Sequence, residues 1–131
     1  MRSRRVDPRL LPAKARLDTL SLYPEPVRLA GVRIRISPLF FSFFSRDYHG
    51  MATRTTIWLK DEKYLAEEGL LTHELCHVWQ VQHRYWHVWK TYLSTPYADN
   101  PYEVEARAAV RATAAMSIAP PHRAHLRLVS G

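Results

Sequence analysis

The sequence predicts a single α+β domain, and three observations carry that prediction. Apolar residues alternate with charged ones through Val27–Ile36, the period of a strand, and Thr53–Leu59 is rich in β-branched and aromatic residues. From Asp61 onward apolar residues recur at helical spacing. The strand-like segments come first and the helical ones after, so the elements segregate rather than interleave. The 131 residues suit one domain, and a chain of this size buries roughly two-thirds of its unfolded surface without disulfide staples.

The elements follow in order. Residues 1–26 hold Pro8, Pro12, Pro24 and Pro26 and read as an irregular, basic arm with a short helical turn near Ala13–Leu20. Val27, Leu29, Val32, Ile34 and Ile36 alternate with Arg28, Arg33 and Arg35, giving a half-buried strand whose register Gly31 shifts. The aromatic run Leu39–Phe44 reads as strand. Asp47-Tyr48-His49-Gly50 reads as a turn, and Thr53–Leu59 as a further strand. A helix then runs from Asp61 to about Tyr92, with a break around Gly69. Thr95–Pro101 is a loop, and Asn100-Pro101 opens a last helix, with Asn as N-cap and Pro in the first turn. Pro120-Pro121 ends it. These boundaries give an arm over 1–26, a domain over 27–119 and a tail over 120–131. The stripe Trp79, Tyr85, Trp86, Trp89 and Tyr92 is expected in the core, and Cys76 as buried filler.

The chemistry concentrates in His73-Glu74-Leu75-Cys76-His77. Four residues apart on a helix, the two histidines stand about 40° apart in azimuth and one turn along, so both imidazoles reach one point. Two ligands of one tetrahedral zinc need that arrangement. Glu74 is rotated by roughly 100°, free to act as general base on a water rather than to coordinate. Leu70, Leu71, Leu75, Val78, Trp79 and Val81 supply the apolar surface that packs such a helix.

A third ligand is required, and three residues compete. His83 lies ten residues beyond His73, but Gln80 stands where a glycine would let the chain turn back. On a continuous helix His83 is about 15 Å along the axis and some 80° off the face, out of reach. Glu103, in the first turn of the last helix, can project at the metal, although Asn100 with Glu103 also resembles a capping box. Glu105 is the fallback, rotated by about 200° from Glu103.

Here the chain resembles the gluzincins, whose third ligand is a Glu on a downstream helix within Glu-x-x-Ala. Glu103-Val104-Glu105-Ala106 matches that pattern. Thr56-Ile57-Trp58-Leu59 and Leu70–Gln80 also resemble small bacterial gluzincin-like domains of the DUF4157 kind, over about residues 50–110. The resemblance implies a zincin-like fold: a small twisted sheet on the active-site helix, plus a C-terminal ligand-bearing helix. It also implies a zinc metallopeptidase with His73, His77 and Glu103 as ligands, and Thr55–Leu59 as the edge strand that receives an extended peptide or protein substrate. Arg107 departs from the pattern, since many gluzincins have Asp or Asn there, so the support around the ligands must differ. Tyr97 and Tyr102 flank the ligand helix as candidate oxyanion donors.

Composition narrows the setting. A single cysteine excludes an intramolecular disulfide and suits a reducing compartment. Charges interrupt any signal-like stretch near the N-terminus, and the longest apolar run is far short of a membrane span, so a soluble, cytoplasmic protein is expected. The net charge of +7 is lopsided: residues 1–35 carry nine Lys/Arg against three Asp/Glu. That asymmetry supports a rival reading, a zincin-like binding module of little turnover whose basic arm contacts nucleic acid or an acidic partner.

Overall fold

A computed structural model describes residues 5–44 and 50–116. Four α-helices and a three-stranded mixed sheet make up the α+β body of these residues.

The helical turn expected near Ala13–Leu20 is present, shifted to Leu11–Leu17, but its flank packs on the core instead of forming an irregular arm. A 3-10 turn, Pro8–Leu10, leads into α1, Leu11–Leu17. Pro8 and Pro12 occupy the first turns, where a missing N–H costs nothing. The helical spacing of Leu10, Ala13 and Leu17 makes one apolar face, and all three are buried in the main core. Arg16 ties α1 onward, donating to Glu68 Oε2 (2.5 Å) and to the Met116 carbonyl (2.9 Å).

Strand β1 spans only Arg33–Ile36. The alternation before it survives as burial of Val27, Leu29 and Val32. Gly31 separates the two stretches, with a φ of 82° that a side chain would rarely tolerate. Next comes a correction: residues 38–44 form helix α2, Pro38–Phe44, not a strand. The Ser37 hydroxyl accepts from the Phe40 N–H (3.2 Å) and Pro38 occupies the first turn. This start signal outweighs the strand preference of the aromatics.

Strands β2, Gly50–Ala52, and β3, Thr56–Leu59, form a tight hairpin. The sheet order is β1-β3-β2, with β1 parallel and β2 antiparallel to β3. The segment expected at the edge is therefore central, corrected by its pairing on both sides, and β1 and β2 are the edges among the described residues. Of the expected turn at 47–50, residues 47–49 lie outside the described residues, as does the tail over 120–131.

A 3-10 turn, Glu62–Ala66, precedes α3, Glu68–Ser94, with the break at Glu67 rather than Gly69. The first half of α3 is the spine of the core: Leu71, Leu75, Val78 and Trp79 pack with Ile57 and Leu59 of β3 and Ala106 and Ala109 of the last helix. At Arg84 the backbone leaves helical values (φ −138°, ψ 47°), and α3 bends. The aromatic stripe consequently divides. Trp79 is core, whereas Trp86 is 81% exposed and Tyr85 and Trp89 are exposed beside it, correcting the expectation that all five are core. After a 3-10 turn, Tyr97–Asp99, Asn100 caps α4, Pro101–Thr113, by accepting from the Tyr102 N–H (2.8 Å). No helix among the described residues is long and apolar enough to cross a membrane.

Candidate metal centre

The four-residue spacing on unbroken helix brings the rings of His73 and His77 to 4.7 Å between centroids. Their Nε2 atoms are 3.1 Å apart. Glu103, in the first turn of α4, completes a triangle: Oε1 lies 3.2 Å from His73 Nε2, and Oε2 lies 3.0 Å from His77 Nε2. These three residues form a cluster that can hold a metal ion. Four ligands about 2.0–2.1 Å from a tetrahedral ion stand roughly 3.3 Å from one another, close to the 3.1 Å between the two Nε2 atoms.

The support around His77 tests the fit independently. Gln80 Nε2 donates to the Tyr102 carbonyl (2.9 Å) and to Glu105 Oε1 (2.9 Å). With its NH₂ committed to two acceptors, the amide presents Oε1 to His77 Nδ1, 2.8 Å away. His77 Nδ1 thus has a dedicated acceptor for its proton, which leaves Nε2 as the atom facing the cluster and the one a metal ion would take once Nε2 is deprotonated. Glu105 is held in turn by the Tyr23 hydroxyl (2.6 Å). The chain Tyr23–Glu105–Gln80–His77 thus reaches a ligand from the N-terminal segment.

Charge follows geometry. Burial opposes ionisation of Glu103, but hydrogen bonds from His73 and His77 hold its carboxyl well below the usual carboxylate range. Burial also works against a charged His77, yet Glu103 and Glu74 raise its pKa above the ordinary imidazole value. For Glu74 burial wins over His77 and His73, and its pKa is raised. Its carboxylate packs on the edge strand at a close approach. A Cβ on Gly50 would stand 3.1 Å from Glu74 Oε2, so a side chain there would make Glu74 give by a few tenths of an ångström. Cys76 is fully buried, and burial, with Glu105 and Glu103 nearby, pushes its thiol up to about 12. It stays protonated at neutral pH and is neither ligand nor nucleophile.

Comparison with known proteins returns no match to a family model, a curated protein or a solved structure. The case for this site rests on its own residues.

Of the competing residues, His83 stacks on Tyr23 (5.2 Å between centroids) and Glu105 supports Gln80, so neither joins the cluster. Arg107, expected to leave the support around the ligands different, reaches the Ala98 carbonyl (3.3 Å). Tyr102 is buried with its hydroxyl on His87, while Tyr97 lines the cleft. The tyrosine at the centre is Tyr92, whose hydroxyl donates to Glu103 Oε2 (2.5 Å). Fifteen residues of straight helix would carry Tyr92 about 22 Å from His77. Their rings are 6.3 Å apart because α3 bends at Arg84. Gln80 had a readable signal, a lone amide in the buried run Leu75–Val81 and three residues from a ligand. Tyr92 had none, since Arg84 is not a residue type that marks a kink.

The centre opens into a cleft of about 390 Å³, walled by Met51 and Ala52 of β2 and by Val81, Val88 and Trp89 of α3. A space of this size takes a side chain or two of a bound molecule.

Proposed function

We propose that the chain is a zinc-dependent peptidase of the zincin type, with the gluzincin ligand set His73, His77 and Glu103. One observation carries the reading: His73 Nε2 and His77 Nε2 lie 3.1 Å apart, each within 3.2 Å of a Glu103 carboxylate oxygen, and share a cleft with the buried Glu74 carboxylate. Two imidazoles and a carboxylate with a fourth position open make a zinc donor set of catalytic type. When bound, the zinc supplies Lewis-acid polarisation of the peptide carbonyl and acidifies the attacking water.

The protein's own groups do the rest. His73 and His77 hold the ion from one turn of α3, and Glu103 closes the set from α4. Gln80 fixes the His77 tautomer, and Tyr92 fixes the Glu103 carboxylate. Glu74 takes a proton from the attacking water and returns it to the leaving amine, a task suited to a carboxylate whose pKa burial has raised. The edge strand β2 offers main-chain groups to an extended substrate along the cleft.

Metal analysis of the purified protein, with cleavage of a diverse peptide library, tests this reading. The expected result is one zinc per chain and hydrolysis that Glu74→Gln lowers by about 10²–10⁴-fold while retaining the metal. Wild-type turnover in Glu74→Gln, or a bound metal other than zinc, would overturn it.

A further inference from the structure

Beyond the Arg84 break, α3 presents an unusual outer face. On a helix from residue 85, Tyr85, Trp89, Leu93 and Trp86 fall within about 100° of azimuth. Trp86 is 81% exposed and Leu93 89%, while Tyr85 and Trp89 are each 38% exposed. Tyr85 packs edge-on against both tryptophans, with centroids 4.9 Å from Trp86 and 6.4 Å from Trp89. Isolated exposed apolar residues are ordinary, but a contiguous aromatic stripe marks a contact surface.

Two connections join this stripe to the cleft. Trp89 belongs to both, lining the cleft wall and flanking Tyr85. On the other side, Met51 and Ala52 of β2 and Thr53 just after it line the cleft, and Arg54, the next residue, lies over the Tyr85 ring (5.9 Å to the centroid). The sheet edge and the stripe thus meet at one end of the cleft.

We infer that Tyr85, Trp86, Trp89 and Leu93 form a docking surface for an apolar, extended polypeptide segment that continues out of the cleft. This rests on the peptidase reading and names its substrate class: chains displaying hydrophobic segments, as unfolded polypeptides do. A polypeptide fits better than a nucleic acid. An edge strand supplies main-chain partners that only another peptide backbone matches along its length. Leu93, Val88 and Val81 offer nothing to stacked bases or phosphates. Large aromatics beside an apolar groove are the residue types that dominate polypeptide contacts.

The test separates this surface from the chemistry. Full-length protein with Glu74→Gln binds, without turnover, fluorescein-labelled 12-residue peptides that carry either Phe and Leu or Ser and Gln outside a shared centre. The apolar peptide should bind about ten-fold tighter, and Trp86→Ala with Leu93→Ala should remove most of that preference with zinc content unchanged. Both side chains lie outside the cleft lining, so the variant leaves the metal centre intact. Equal affinity for the two peptides, or an unchanged preference in the variant, would overturn the inference. So would Trp86-dependent binding to phosphatidylglycerol vesicles without peptide binding, or a dimer in sedimentation that Trp86→Ala dissociates. Peptide binding without any wild-type cleavage would remove the peptidase reading and leave the surface. Cleavage indifferent to Trp86 would do the reverse.

Discussion

The two halves of α3 contrast. From Leu71 to Val81 nearly every side chain is buried, and the helix runs unbroken, so His73, Glu74, His77 and Gln80 take positions set by 3.6 residues per turn. Beyond Arg84 the same helix carries Trp86 and Leu93 in solvent, and only Val88 and Thr91 are buried. Yet this half supplies Tyr92 to Glu103 and Val88 and Trp89 to the cleft. Periodicity places ligands within one straight segment; the wall opposite them depends on where that segment bends.

The largest expected effect tests this contrast through one substitution made in each half. Leu75 is fully buried in the main core, so Leu75→Ala should cost about 2–5 kcal/mol of stability in urea unfolding. Leu93→Ala, at a position 89% exposed, should cost under about 0.5 kcal/mol. Comparable losses at both positions would erase the distinction.

Next come the groups that hold ligands from each half. Gln80→Leu strips the partner from His77 Nδ1 and should weaken zinc binding by about 10–100-fold in a competitive chelator titration. Tyr92→Phe removes one donor to Glu103 and should fall near the lower end, about 10-fold. An unchanged affinity in Tyr92→Phe would mean that the bend contributes only to the cleft. The smallest effect belongs to Gly50→Ala, which should keep the metal but lower turnover several-fold by displacing Glu74. Full turnover there would show that the close approach of β2 is incidental.

Legibility in the sequence follows the same line. The α+β class, the capped start of α4, the convergence of His73 and His77 and the candidacy of Glu103 were all readable, because each depends on local spacing or a cap. Ser37-Pro38 carries a helix-start signal, but the aromatic run behind it has the β-propensity of a strand, and the two local signals conflict. The helical turn near Ala13–Leu20 was readable, but the prolines around it favour an irregular arm and hide that Leu10, Ala13 and Leu17 pack into the core. The central place of β3 depends on which strands pair, and Tyr92 on a bend at an ordinary arginine. Neither leaves a local trace.

Glu103 decides the proposal, since among the described residues it alone brings α4 into the candidate cluster with His73 and His77. Zinc titration into chelator-stripped protein, for wild type, Glu103→Ala and His83→Ala, tests it most directly. The account predicts one tight site per chain in wild type and in His83→Ala, and its loss in Glu103→Ala, with a Glu103 oxygen about 2.0–2.2 Å from the ion in the loaded protein. Unchanged zinc affinity in Glu103→Ala, or its loss in His83→Ala, would contradict it.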